Sequence, residues 1–178
     1  MTIETLVAQG QTQAHPGLAA LDTARLKAMR NASLRECFQR IEDTPYRNEF
    51  VARILGREYI NDAASRSVGA TWYALERIQQ GAIWITCGVD APVDYSSLTG
   101  IAMRKVRMLL VLGPDATIRQ AFQGIVPTIV SCRSMGEALH KAYMYETTDV
   151  SVLFSPATQD GTPTEALGEA FRYEVNEL

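Results

Sequence analysis

Four aspartates lie in turns that follow predicted strands, and their carboxylates are the side chains of this chain best placed for chemistry. They are Asp62, Asp90, Asp94 and Asp160. Because the strands of an open α/β sheet end at one edge, we expect these residues to line a common rim. Carboxylates there have the chemistry to hold a metal ion or to accept a ribose hydroxyl. The alternative, which we favour for Asp62 and Asp94, is that they cap the helices that begin beside them.

The other reactive side chains give weaker signals. Cys87 follows a strand directly, but no histidine or basic residue lies close to it in sequence, so a small buried side chain is the favoured interpretation. His140 falls within a helix beside a lysine, where a solvated surface role is expected. The sequence contains no phosphate loop, no dinucleotide-binding glycine fingerprint and no nucleophile elbow. We therefore assign no catalytic residue and no metal ligand.

The amino-acid composition indicates a globular protein and argues against nucleic acid and membranes as partners. The 178 residues carry a net charge of -3, with 47% hydrophobic and 21% charged residues, as in an ordinary globular protein. This balance gives no basic surface for nucleic acid or an anionic membrane. The three cysteines are widely spaced and odd in number, and the first residues do not form a secretory signal. We expect a reduced, cytoplasmic compartment.

Apolar periodicity indicates alternating strands and helices from residue 49 onward. Strands are predicted at 49–54, 58–60, 82–86, 106–112, 128–130 and 150–154, and helices at 68–78, 95–101, 116–122, 135–143 and 164–175. Leu55-Gly56 predicts a hairpin between the first two strands. This order favours an α/β fold with a mostly parallel, Rossmann-like sheet and helices on both faces. Before it, residues 1–17 are predicted to form a flexible leader and residues 18–45 a helical arm.

Seven motifs occur in an order that resembles the C-terminal domain of the Mur ligases, in particular the UDP-N-acetylmuramoyl-L-alanine–D-glutamate ligase family. They are Tyr46-Arg47-Asn48-Glu49-Phe50-Val51, Tyr59-Ile60-Asn61-Asp62, Gly69-Ala70-Thr71-Trp72-Tyr73-Ala74-Leu75-Glu76, Gly88-Val89-Asp90 with Asp94-Tyr95-Ser96, Met135-Gly136-Glu137-Ala138, Val152-Leu153-Phe154-Ser155-Pro156-Ala157 and Gly168-Glu169-Ala170-Phe171. The resemblance begins near Asn31 and implies that residues 18–45 match the end of the central domain of those enzymes. Residues 46–178 would match their C-terminal α/β domain.

The resemblance implies a link to peptidoglycan synthesis. The family joins an amino acid to a UDP-sugar carboxylate through an acyl phosphate made with ATP and magnesium. Its phosphate loop lies in the central domain, and this sequence has none. ATP and magnesium are therefore expected only if a partner supplies that loop. By resemblance, Arg47, Asn61 and Asp62 are the candidate nucleotide-binding residues.

This sequence departs from the family where the incoming D-glutamate would be held. Ala64 and Ala91 stand in place of lysines, and Asp160 in place of a serine that would bond the substrate carboxylate. Arg66, in place of a threonine, is a partial offset. A dianionic amino acid needs paired cations or donors, so we expect the fold to be kept and the glutamate site to be lost. The candidate ligand rim is Arg66, Asp90, Asp94, Ser155 and Asp160.

Two hypotheses follow. The first is a stand-alone, non-catalytic binding or regulatory module linked to peptidoglycan precursor synthesis. The second is the substrate-binding part of a split or altered ATP-dependent ligase, in which Arg66 would hold a carboxylate. In the family this domain meets another domain, so one face has to be covered here as well. We therefore expect a homodimer or a complex with a cell-wall precursor ligase.

Overall fold

The computed structural model describes residues 45–147, 149–158 and 164–178. The predicted leader, the predicted arm up to residue 44 and Asp160 lie outside these ranges, so the proposed division of the chain at residues 17 and 45 stays a prediction. No helix within the described ranges is long and apolar enough to cross a membrane.

Strands and helices alternate after an initial hairpin, as the periodicity predicted. Within the described ranges the elements are β1 Glu49–Ile54, β2 Arg57–Asn61, α1 Val68–Arg77, β3 Gly81–Cys87, α2 Ser96–Lys105, β4 Val106–Leu112, α3 Ala116–Phe122, β5 Ile129–Cys132, α4 Met135–Tyr143, β6 Val150–Phe154 and α5 Glu165–Asn176. The helix α2 extends beyond its predicted end at residue 101 and runs directly into β4. The last residue of α2, Lys105, reaches the end of α1, where its ammonium group donates to the carbonyls of Glu76 and Ile78 at 2.6 and 2.8 Å. It thereby caps the end of α1.

The six strands form one sheet in the order β1-β2-β6-β3-β4-β5. The hairpin strands β1 and β2 are antiparallel, and the pairs β2–β6, β6–β3, β3–β4 and β4–β5 are parallel. The predicted α/β class with a mostly parallel sheet is confirmed. The strands β2 and β3 follow each other in sequence with only α1 between them, but they are not neighbours, because β6 lies between them. All five residues of β6 are buried, as expected for a strand covered on both faces.

Two apolar cores cover the two faces of the sheet. The helices α1, α2 and α3 pack on the face that carries Trp84 and Leu109. The helices α4 and α5 pack on the opposite face with Ile83, Ile85 and Phe154. Alternate side chains of β3 thus enter opposite cores, which is why its sequence is almost entirely apolar.

Polar side chains fix the ends of the helices. Ser67 caps α1, where its hydroxyl accepts the Ala70 N–H at 3.1 Å. Ser134 and Glu137 have the spacing of a capping box, which is present in a modified form at the start of α4. The Ser134 hydroxyl accepts the Glu137 N–H at 3.1 Å, but the Glu137 carboxylate accepts from the Arg133 N–H at 2.8 Å instead of that of Ser134.

At Gly88 the backbone of the turn after β3 is in close contact with the backbone of the turn after β4. The Gly88 N–H donates to the Leu112 carbonyl at 2.7 Å. A Cβ at this position would lie 1.5 Å from the carbonyl oxygen of Pro114. This contact can be relieved only if one of the two turns moves, since no flexible side chain is involved.

Gly88→Ala should therefore destabilise the fold by at least about 3 kcal/mol, measured as the free energy of urea unfolding. The matched control is Gly100→Ala in α2, where the nearest atom to a new Cβ is 3.9 Å away. That variant should be neutral or stabilising by up to about 1 kcal/mol. Equal unfolding free energies for the two variants would contradict the close contact at Gly88.

Candidate active-site edge of the sheet

The strands β3 and β6 are neighbours in the sheet, and the chain leaves their carboxyl ends toward opposite faces. The chain leaves β3 for α2 on one face and leaves β6 for α5 on the other. Open α/β sheets bind ligands at the carboxyl ends of strands where such a divergence occurs. The turns at this point are residues 87–90 after β3, 155–158 after β6 and 62–66 after β2.

The floor of this edge is a rigid segment, Ser155-Pro156, that continues to pair with β3 after β6 has ended. The indole N–H of Trp84 donates to the Ser155 carbonyl at 2.8 Å, and the Thr86 hydroxyl donates to the Pro156 carbonyl at 2.8 Å. The Cys87 N–H donates to the same Pro156 carbonyl at 3.3 Å. These bonds leave the backbone here little freedom to adapt to a ligand.

Asp62 lies in the interior at this edge, with no exposed surface. Its Oδ1 accepts the Asn48 N–H at 3.0 Å, and its Oδ2 accepts the Ser155 hydroxyl at 2.9 Å. Burial raises the pKa of the Asp62 carboxyl to about 6, although hydrogen bonds from Ser65, Asn48 and Ser155 and the charge of Arg47 lower it. A carboxyl group so placed holds a proton more readily than one in water.

The helix-cap interpretation is wrong for Asp62. Ser67 is the cap of α1, and the Asp62 carboxylate joins the strand ends instead. Asp94 is not the N-cap residue of α2 either, since Tyr95 holds that position, but its Oδ1 accepts the Ser96 N–H at 2.9 Å where α2 begins. This hydrogen bond lowers the pKa of the Asp94 carboxyl.

The candidate rim residues do not form one cluster. Ser155 is buried with its hydroxyl directed to Asp62, whereas Asp90 is exposed after β3. Arg66 forms an ion pair with Glu165, the first residue of α5, and both side chains are about half exposed (42% and 53%). Among the described residues there is no group of three or more His, Cys, Asp or Glu side chains suited to a metal ion.

The residues proposed for nucleotide binding have different environments. Asn61 is buried, and its side chain donates to the Gly168 carbonyl at 3.1 Å and accepts the Ala63 N–H at 3.3 Å. Arg47 is partly buried, and its Nε has no hydrogen-bond partner among the described residues. The assignment of Arg47, Asn61 and Asp62 to a nucleotide stays a prediction. Outside the rim, Cys87 is buried, as expected for a packing residue.

Sequence reasoning missed the attachment of the segment before β1 to α5. The Arg172 guanidinium lies 4.4 Å from the centre of the Tyr46 ring and bonds Glu49 at 2.7–3.0 Å. The Tyr46 hydroxyl donates to Glu169 at 3.3 Å. Gly168 makes room for this ring, since a Cβ there would lie 2.9 Å from it. These contacts join residues more than a hundred positions apart, so no local pattern announces them.

A second missed feature is a groove of about 410 Å³ between the hairpin and α1. Phe50, Ile60 and Ile78 supply its apolar lining, and Arg53 and Arg77 lie at its border. Phe50 is 58% exposed, an unusual degree for a large apolar side chain on a strand. The groove does not coincide with the carboxyl-edge turns.

Asp62→Asn should remove a pH-dependent loss of stability. Because the folded pKa of about 6 exceeds the reference value of 3.8, the stabilising contribution is complete below about pH 4 and is lost as the pH rises through 6. The asparagine mimics the protonated acid, with an oxygen for Asn48 and an N–H for Ser155. Urea unfolding should show the variant gaining about 2 kcal/mol on the wild type between about pH 4.5 and 7.5.

Asp90→Asn is the control for this measurement, since Asp90 is an exposed aspartate at the same edge. The gain in stability of Asp62→Asn is measured relative to this variant at each pH. Parallel pH curves for the wild type and Asp62→Asn would contradict the raised pKa.

Known proteins match this chain along its full length. A UDP-N-acetylmuramoylalanine–D-glutamate ligase of Porphyromonas gingivalis is 34% identical over 182 aligned residues, which cover 100% of this chain and 40% of that ligase. The enzyme of the same name from Christiangramia forsetii is 35% identical over 158 residues, covering 88% of this chain and 36% of that ligase. No protein-family model matches the chain.

Among solved structures, the MurF ligase of Thermotoga maritima in complex with ADP aligns with 75% of this chain and 32% of its own, at 12% identity and a TM-score of 0.49. This chain spans about 40% of the length of the ligases that match it in full. The motifs, the α/β fold and the full-length sequence matches lead to one conclusion: the chain is Mur ligase-like, with an α/β unit of the C-terminal-domain kind, and is homologous to UDP-N-acetylmuramoylalanine–D-glutamate ligases.

Proposed function

We propose that this chain is a binding or regulatory module of peptidoglycan precursor synthesis that does not catalyse ligation by itself. One observation carries the proposal: Arg66 and Ser155, two donors at the carboxyl edge that could hold a substrate carboxylate, are each engaged with an acidic side chain of the chain itself. Arg66 is paired with Glu165, and the Ser155 hydroxyl is directed to Asp62 in the interior. A ligand at this edge would have to displace these contacts.

The charges at this edge argue further against a glutamate site. D-glutamate, the substrate in the name of the relatives, carries two carboxylates that require cations or hydrogen-bond donors. Ala64 and Ala91 offer no charge, and the single positive charge of Arg66 is offset by Glu165. The carboxylates of Asp90 and Asp62 lie on turns of the same edge, and their charges would oppose a dianion.

A second candidate function is the substrate-binding part of a split or altered ligase. Arg66 favours it, because an exposed ion pair is worth at most about 1 kcal/mol and a ligand carboxylate can replace Glu165. The buried Nε of Arg47, without an acceptor among the described residues, is a group that a nucleotide could engage. ATP and magnesium would then act at a phosphate loop supplied by another chain.

The chain alone should release no phosphate above a blank when incubated with ATP, magnesium, UDP-N-acetylmuramoyl-L-alanine and D-glutamate. The reason is that its sequence carries no phosphate loop, and that Arg66 at the described part of the edge is paired with Glu165 and not with a second cation. The Porphyromonas gingivalis ligase serves as the positive control. Turnover by the chain alone that disappears in Arg66→Ala would contradict the proposal.

The same assay distinguishes the split ligase from the non-catalytic module. The part of the Porphyromonas gingivalis ligase outside the 40% that this chain matches is added as a separate chain. Turnover that needs both chains, and that falls at least tenfold in Arg66→Ala, would replace the module proposal with the split ligase. No turnover in either arm supports the non-catalytic module.

We further propose that the partner is a cell-wall precursor ligase or a second copy of this chain, which covers the exposed hairpin. Phe50 and Leu55 are 58% and 61% exposed there, and Phe50 and Ile60 line part of the adjoining groove. Light scattering coupled to size exclusion should give a dimer, or a complex when the ligase is added. Phe50→Ser should weaken either association at least tenfold.

Met103→Ser in α2 is the matched control for this experiment, since Met103 is 62% exposed on a different element. It should leave association unchanged. A strictly monomeric chain that forms no complex with the ligase would contradict the partner proposal.

A further inference from the structure

The segment that leads into β1 is held in an unfavourable backbone conformation. Tyr46 and Asn48 have φ angles of 62° and 46°, in the left-handed region. Non-glycine residues pay about 1 kcal/mol or more for this conformation, and asparagine tolerates it better than tyrosine. Such strain persists only where surrounding contacts maintain it. We call residues Tyr46–Asn48 the junction.

The turn after β2 supplies the backbone contacts that maintain the junction. The Asn48 N–H donates to Asp62 Oδ1 at 3.0 Å, and the Ala64 N–H donates to the Tyr46 carbonyl at 2.9 Å. The two bonds lie two residues apart on the same turn, so the junction cannot separate from this turn without breaking both. Opening of the junction would remove one donor from Asp62 and expose its carboxylate to water.

The other oxygen of Asp62 ends a chain of hydroxyl groups that can reverse direction. Ser155 Oγ lies 2.9 Å from Asp62 Oδ2 and 2.8 Å from Thr71 Oγ1, and either hydroxyl can be the donor in the second contact. With Asp62 ionised, Ser155 donates to the carboxylate. With Asp62 protonated, the acid donates to Ser155 and Ser155 donates to Thr71. The closed junction therefore accepts a proton without any loss of hydrogen bonds along this chain.

The charged groups on the elements around Asp62 are mostly paired with one another. The pairs are Arg172 with Glu49, Arg66 with Glu165, and the Tyr46 hydroxyl with Glu169. Arg47 on the junction itself is the charged group that acts on the Asp62 carboxyl. Its attraction for the ionised form is smaller than the cost of burial.

We propose that Asp62 is a proton-linked latch, closed over the junction when it carries a proton and opened more readily when it is ionised. The direction follows from linkage, because a proton that binds the closed form more tightly than the open, hydrated form must stabilise the closed form. The latch lies next to the candidate ligand edge through Ser155 and is independent of whether the chain has a catalytic partner.

Amide hydrogen exchange, followed by NMR and corrected for intrinsic rates, tests the latch. The opening constants reported by the Asn48 and Ala64 amides should rise together by about tenfold between about pH 5 and 7.5 in the wild type. The Gly88 amide, bonded to Leu112 at the same edge, is the internal control and should show no such rise. In Asp62→Asn the Asn48 and Ala64 values should be independent of pH.

Ser155→Ala gives a second test that does not depend on the folding of Asp62→Asn. This variant removes a donor from the ionised carboxylate, so the midpoint of the pH-dependent opening should move to higher pH. The matched control is Ser151→Ala, a buried serine on the same strand, which should leave the midpoint unchanged. Exchange of Asn48 and Ala64 that is independent of pH in the wild type, or a midpoint that Ser155→Ala does not move, would overturn the latch.

Discussion

The insertion of β6 between β2 and β3 is the constraint on which the rest of the structure depends. It pairs with β2 through Tyr59–Asn61 and with β3 along its whole length. Without it the hairpin would have no parallel partner, because β2 and β3 do not touch. The strand comes near the end of the chain, and its Val152 pairs with Tyr59 of β2, 93 residues earlier, and with Ile83 of β3, 69 residues earlier. Its pairing is therefore non-local, and such contacts are slow to form.

The same insertion creates the chemistry of the carboxyl edge. Because β6 lies next to β2, Ser155 at its end meets Asp62 at the end of β2, and a carboxylate is enclosed in the interior. Because it also lies next to β3, the Ser155-Pro156 backbone is fastened by Trp84 and Thr86. Asp62 and Ser155, which were candidate ligand-binding residues in the sequence, therefore also hold the strand ends together. Because their polar atoms are already hydrogen-bonded to each other, these two side chains are less available to a ligand.

Two ion pairs of the α/β unit likewise hold elements of the fold together. Arg66 is paired with Glu165 at the N-terminal end of α5, and Arg172 near its other end is paired with Glu49. Each arginine ties the last helix to the turn or strand beside it. The first pair is exposed, so it contributes little stability and can be exchanged for a ligand or partner carboxylate. The second is reinforced by the Tyr46 ring and anchors the segment before β1.

The sequence alone determined the elements and the class of fold. The nearly continuous apolar stretch Ala82–Thr86 indicated a buried strand, and the alternation with helices implied a parallel sheet, because these signals are local and periodic. The motifs around Asn61-Asp62 and Ser155-Pro156 also indicated the family, which the full-length matches bear out.

Tertiary structure decided the strand order and the state of each site residue. The sequence predicted that Asp62 caps a helix, but the cap of α1 is Ser67, five residues later. The buried Asp62 carboxyl is instead bonded by Ser155, 93 positions away. The pairing of Arg66 with Glu165 and the strained junction at Tyr46 depend equally on distant partners. Local propensity carries no information on such contacts, because burial and pairing are properties of the packed chain. Sequence thus identified which side chains are present at this edge, and only packing decided which of them a ligand could reach.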